Sequence, residues 1–128
     1  MRLQGRPRRV LLVEDDDNLA ALVRVMLAPD GRVEVLGRAR HGREALTMAA
    51  SQNPDVILMD LQMPVMDGVE ATRRLRKLGS TARIVVLTGV EDVALIKEAR
   101  DAGADAFVTK VPTAEHLMNV VLGARPAA

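Results

Sequence analysis

At 128 residues, 48% of them hydrophobic and 27% charged, the chain has the size and composition of one globular domain. It contains no cysteine, which excludes disulfides, thiolate zinc sites and cysteine nucleophiles and suits a reducing compartment. A formal net charge of +1 and a single aromatic residue, Phe107, exclude a global basic field and a base-stacking platform for nucleic acid, and no apolar run approaches the roughly 20 residues that cross a bilayer.

Val10-Leu11-Leu12-Val13 predicts a strand buried on both faces. Leu19, Leu22, Val23, Met26 and Leu27 then follow helical spacing up to Pro29-Asp30-Gly31. Val33, Val35 and Gly37 alternate like a less buried strand near a sheet edge. Ala45, Leu46 and Ala49 make a small-residue helix stripe, stopped by Asn53-Pro54. Val56 to Met59 is the second apolar strand, and it ends on Asp60. Asp67 and Glu70 have the spacing of an N-cap and its capping-box partner, opening a helix with Val69, Thr72 and Leu75 inward and Arg73, Arg74, Arg76 and Lys77 toward water. Ile84 to Leu87 is the third apolar strand, ending on Thr88-Gly89. A helix from about Glu91 carries Val93, Ile96 and Ala99 and stops near Gly103. Ala106-Phe107-Val108 is a short strand ending on Lys110, and Thr113 caps a last helix with Leu117, Val120 and Val121 inward.

Five β-then-α units predict an α/β fold: a doubly wound five-stranded parallel sheet with helices on both faces. Right-handed crossovers leave few windings, and the flavodoxin-like strand order 2-1-3-4-5 is the expected one. The domain is expected over residues 8–124, with residues 1–7 and 125–128 as loose ends.

Ligands of such sheets bind outside the carboxyl ends of the strands. There the expected order gathers Glu14 and Asp15, Asp60, Thr88 and Lys110. Three close carboxylates repel and raise one another's pKa. Lys110 supplies one compensating charge, and a hard divalent cation the rest. An all-oxygen site selects Mg²⁺, or Mn²⁺, over zinc. Asp16 and Asp17 read as a solvated loop and helix cap. Asp60, beside a cation and opposite Lys110, reads as a nucleophilic carboxylate of the aspartyl-phosphate kind. Thr88 and Lys110 would then hold the phosphoryl oxygens, while Gly89 leaves the backbone clear and offers its N–H.

The segments Leu12 to Asp16, Val56 to Gly68, Val86 to Gly89 and Phe107 to Lys110 together resemble the receiver domains of two-component response regulators, the CheY-like superfamily, over about residues 8 to 124. Gly42-Arg43-Glu44-Ala45-Leu46, with Gly68 to Arg73, is most similar to receivers attached to helix-turn-helix regulators of the NarL/LuxR type. The resemblance implies that Asp60 accepts a phosphoryl group from a sensor histidine kinase or phosphotransfer protein. It implies Mg²⁺ held by Glu14, Asp15, Asp60 and the backbone carbonyl of Gln62. It makes Thr88 and Phe107 the switch pair, acting on the face formed by Glu91–Ala102, Phe107 and Thr113–Gly123. It also implies a cytoplasmic signalling protein read by a DNA-binding output domain or a protein target, with a homodimer as one phosphorylated form. Gln62 and Val90 would flank the route of an attacking water, and apolar Val90 there implies slow self-dephosphorylation. One departure concerns Lys110-Val111-Pro112: receivers commonly place proline directly after the lysine, across a cis bond, and a cis bond before Val111 would cost about 3 kcal/mol more.

The alternative is a Mg²⁺-dependent phosphatase turning over an aspartyl phosphate. Such hydrolases place an acid two residues after the nucleophile, where this chain has Gln62. Gly37 to Gly42 has P-loop spacing, but Arg43-Glu44 replaces the required Lys-Ser/Thr. Ser51 and Ser80 sit in no nucleophile elbow, and His41 and His116 read as surface residues. Neither membrane nor direct nucleic-acid binding is expected. No output domain follows residue 124, which reads as a stand-alone or truncated receiver.

Overall fold

A computed structural model describes residues 6–89, 93–110 and 112–123. The apolar runs become five parallel strands: β1 (Arg8–Val13), β2 (Val33–Ala39), β3 (Val56–Asp60), β4 (Arg83–Thr88) and β5 (Ala106–Thr109). Five helices connect and follow them: α1 (Asp17–Leu27), α2 (Gly42–Gln52), α3 (Gly68–Lys77), α4 (Val93–Ala102) and α5 (Ala114–Leu122). The sheet order is β2-β1-β3-β4-β5, the flavodoxin-like winding expected from the sequence. The unbroken apolar runs lie in the three central strands, covered on both sides, whereas the alternating β2 and short β5 lie at the edges.

The sheet separates two apolar layers. Leu11, Val13, Ile57, Met59, Ile84 and Val86 pack against α2, α3 and α4. Their neighbours Val10, Leu12, Val56, Leu58, Val85 and Leu87 pack against α1 and α5. Period-two alternation, applied to strands buried on both faces, thus builds two cores from one sheet.

Several local expectations are corrected. Val93 is 79% exposed and does not belong to an inward stripe, which in α4 is carried by fully buried Ala99. Leu22 is 38% exposed, because Ala20, Val23 and Leu27 already fill the face of α1 that meets the sheet. Asp67 caps α3, accepting from the Glu70 N–H at 2.9 Å. The Glu70 carboxylate does not return that bond; it pairs with Arg73 and Arg74 one turn on. Arg76 does not face water: its guanidinium donates to the carbonyls of Gly103, Ser80 and Ala82 and to Asp105. His41 is half-buried and caps α2, its Nδ1 accepting from the Glu44 N–H at 3.2 Å. The expected helix start near Glu91, the role of Val90, the Lys110–Val111 peptide and most of the expected loose ends lie outside the described residues. Among the described residues, no helix is long and apolar enough to cross a membrane.

Candidate functional site

β1 and β3 pair in register, Val13 opposite Met59, so the residues that follow them emerge side by side at one end of the sheet. These are Glu14, Asp15 and Asp60, and their carboxylates offer oxygens that all lie within 4.8 Å of one another. Glu14 is fully buried and Asp60 nearly so, while Asp15 is exposed. From the other side comes Lys110, just past β5. Its Nζ lies 3.0 Å from Oδ1 of Asp60 and 4.0 Å from Oε2 of Glu14. The Gln62 N–H also donates to Asp60 Oδ1, at 3.3 Å, and the Asp16 N–H to Glu14 Oε2, at 3.2 Å.

One oxygen of each buried acid is therefore satisfied and the other is not. Oε1 of Glu14 and Oδ2 of Asp60 are buried and lack a hydrogen-bond partner. Buried unpartnered carboxylate oxygens are costly, and such atoms in a native site call for an ion or a water. Three acids against one ammonium leave a surplus of negative charge. Burial, and then the charge of Asp60, push the Glu14 carboxyl up to about 7. Burial pulls the Lys110 pKa down, but the hydrogen bond and charge of Asp60, with Glu14 and Asp15 behind, outweigh it and leave the ammonium more firmly protonated than usual. An all-oxygen donor set with orphaned lone pairs and excess negative charge fits a hard divalent cation.

The other expected residues surround this cluster. Thr88 ends β4, half-buried, and its carbonyl accepts from the Lys110 N–H at 2.9 Å. Gly89 follows, exposed, and a Cβ there would come within 3.2 Å of the Lys110 Cδ. Phe107 pairs with Val86 in β5, half-buried, with the Arg100 guanidinium 5.0 Å from its ring centre. That register puts Phe107 and Thr88 on one face of the sheet, the α3–α4 side. Gln62 is exposed, and with Asp15, Met63, Pro64 and Leu95 it lines an open groove, so of the three acids it is Asp15 that meets solvent there.

Gly68 holds the Asp60 end of β3 in place. Its N–H donates to the Leu61 carbonyl at 2.9 Å. A Cβ at this position would overlap the carbonyl oxygen of Asp60 and come within 2.8 Å of the Leu61 Cα. The first turn of α3 therefore rests directly on the Asp60 backbone.

Sequence reasoning missed Arg38. It lies near the end of β2, its side chain only 14% exposed, and its Nε donates to the Glu14 carbonyl at 2.8 Å. Its Nη1 meets Asp17 at 2.7 Å, and Arg40 meets the same carboxylate at 3.1 Å. Asp17 is therefore an ion-pair partner and not merely a solvated loop acid. Asp16 is the N-cap of α1, accepting from the N–H groups of Asn18 and Leu19. The only trace of Arg38 in the sequence is an arginine inside an otherwise weakly polar strand.

This sheet order, with an acid pair after β1, a buried acid ending β3 and a lysine after β5, defines a receiver domain, the signalling module of two-component response regulators. The chain belongs to that family: the response regulator receiver domain matches residues 10–122. It is 35% identical over 103 residues to the chemotaxis protein CheY of Halobacterium salinarum, covering 80% of this chain and 84% of that one. It is 39% identical over 104 residues to the transcriptional regulatory protein PdtaR of Mycobacterium tuberculosis, covering 81% of this chain and 50% of the regulator. The chain thus spans about half the length of the transcriptional regulators it matches. Among solved structures, a NarL signal receiver domain from Mycobacterium tuberculosis superposes with a TM-score of 0.90 at 28% identity, over 93% of this chain and 96% of that one.

Proposed function

We propose that this receiver accepts a phosphoryl group on Asp60, from the phosphohistidine of a sensor histidine kinase or phosphotransfer protein, in a Mg²⁺-dependent reaction. The observation that carries this reading is the divided state of the Asp60 carboxylate. Oδ1 is held by Lys110, and buried Oδ2 has no partner. A carboxylate so held is oriented, and it keeps a lone pair free for phosphorus. An O–P bond forms as the donor's P–N bond breaks, and the leaving imidazole keeps its electron pair and takes up a proton. Glu14, Asp15, Asp60 and the Gln62 carbonyl would hold Mg²⁺, or Mn²⁺ in its place. When bound, the ion offsets the charge that builds up between phosphoryl oxygens and carboxylates. Lys110, Thr88 and the Gly89 N–H would then hold the transferred group, and Thr88 and Phe107 would carry the change to the α4–β5–α5 face.

In this reading the domain runs from residue 8 to 124 and works in the cytoplasm. Its output passes to a DNA-binding domain or a protein target, with dimerisation as one outcome of phosphorylation. Incubation with acetyl phosphate and Mg²⁺, followed by intact-mass spectrometry, is the test. One phosphate should add to the parent chain and none to Asp60→Asn. Equal labelling of both would refute the assignment, and continuous release of phosphate would favour the phosphatase alternative.

A further inference from the structure

The β1–β2 ladder is irregular at one point. Val10 faces Val35 but Leu11 faces Gly37, so Leu36 is an extra residue in β2. Without this bulge, residue 38 would stand opposite Val13, whose side chain enters the α2–α3–α4 core. With it, Arg38 stands opposite Leu12, on the α1 side of the sheet. Bulges near functional sites re-aim a side chain in this way. The redirected guanidinium holds the loop between β1 and α1 at both ends, at the Glu14 carbonyl and at the carboxylate of Asp17, the first residue of α1. Between them lie the peptide units of Asp15 and Asp16.

We infer that Arg38 is a positioning residue for the divalent cation site: its two-point grip fixes the backbone that presents Glu14 and Asp15. This inference rests on the Mg²⁺ reading above. Two observations support a positioning role over a purely structural one. The bond goes to the main chain of a proposed ligand, and the second contact anchors the far end of the same loop. Both use the fixed fork of a guanidinium, which an ammonium cannot reproduce. Partners that orient ligands in this manner are worth one to two powers of ten in metal affinity.

The sign of the effect makes the inference testable. Arg38 is a cation near a cation site, so by charge alone its loss should tighten Mg²⁺ binding. By positioning, its loss should weaken it. Calorimetric Mg²⁺ titration of the parent, Arg38→Met, Arg38→Lys and Asp15→Asn separates the two. The expected result is about tenfold weaker binding in both Arg38 variants. Their Mg²⁺-free unfolding midpoints should stay near the parent's, with faster amide exchange confined to Asp15 and Asp16. Unchanged or tighter binding in Arg38→Met overturns the inference. If that variant does not fold, Arg38→Lys decides alone, and parent-like affinity there overturns it. A parent chain that binds no Mg²⁺, or an Asp15→Asn chain that binds as tightly as the parent, overturns the site reading itself and this inference with it.

Discussion

The Lys110 ammonium sits 3.0 Å from Asp60 Oδ1, closer than to any Glu14 oxygen, and its backbone N–H is tied to the Thr88 carbonyl. One residue thereby links the tips of β3, β4 and β5. It would also compete with a metal ion bound there, because it answers the same surplus of negative charge. Lys110→Ala should therefore have two opposite effects. Mg²⁺ should bind more tightly, since a competing cation is gone. On the proposed reading of the site, labelling by acetyl phosphate at saturating Mg²⁺ should slow by about a hundredfold, since a preorganised donor to the transferring group would be lost. Titration calorimetry and a labelling time course measure the two, and weaker Mg²⁺ binding would show that the lysine shapes the site more than it competes for it.

Stability should depend on pH through Glu14. Its carboxyl is pushed up to about 7 in the fold, against an ordinary 4.5. Between those values the folded state holds a proton that the unfolded chain has released. The stabilisation from this group is complete below the lower value and is lost as pH rises through the higher one. Without metal, the unfolding midpoint should thus fall between about pH 4.5 and about pH 7, and Glu14→Gln should remove that part of the slope. Saturating Mg²⁺, which prefers the ionised acid, should flatten it in the parent. A parent and a Glu14→Gln chain with the same slope in chelator would contradict this.

Neighbouring acids should separate by function. Asp15→Asn should weaken Mg²⁺ binding about tenfold or more while leaving the unfolding midpoint unchanged or higher. Asp16→Ala should do the reverse, costing about 1 kcal/mol of stability through the lost cap of α1, with little change in Mg²⁺ affinity. Chemical denaturation and calorimetry on the two variants provide the comparison, and equal affinity losses would mean that Asp16 also faces the ion.

Gly68→Ala sets packing against propensity. In an ordinary helix this change gains up to about 1 kcal/mol. Here the new Cβ would overlap the Asp60 carbonyl, and the overpacking should cost about 2 kcal/mol instead. Phosphate labelling should fall as well, because the Asp60 backbone must shift. A stabilised, fully labelled variant would show that α3 can retreat without disturbing Asp60.

The five strands, their order and the acids at their tips were legible in the sequence because central parallel strands leave uninterrupted apolar runs. Polar residues directly after such runs have one place to go. Arg38 was not legible: its direction depends on Leu36 being an extra residue, a fact of register that no local pattern displays. Arg76 reads as one of four basic residues on a polar helix face, and its partners Gly103 and Asp105 are distant in sequence. His41 was the more recoverable omission. His41 and Glu44 have the same spacing as Asp67 and Glu70, and a neutral imidazole accepts a helix N–H as a carboxylate does. Val93 was misjudged because helical spacing marks a face but not where along the helix the neighbouring layer begins.

Arg76 carries a mechanical consequence. Its guanidinium joins the C-terminal part of α3 to the Gly103 carbonyl and to Asp105, immediately beyond the last turn of α4. Arg76 thus pins the C-terminal end of α4, while Ala99 and Leu95 hold the helix to the core further along. A ten-residue helix such as α4 is about 15 Å long, so a turn of about 10° about Gly103 would carry the Val93 end through roughly 2.6 Å while Asp105 stays put. In such a turn the displacement would be largest at exposed Val93 and smallest at Gly103. Arg76→Met would remove that pivot and leave α4 held through its packing on the core alone, by Ala99 and Leu95.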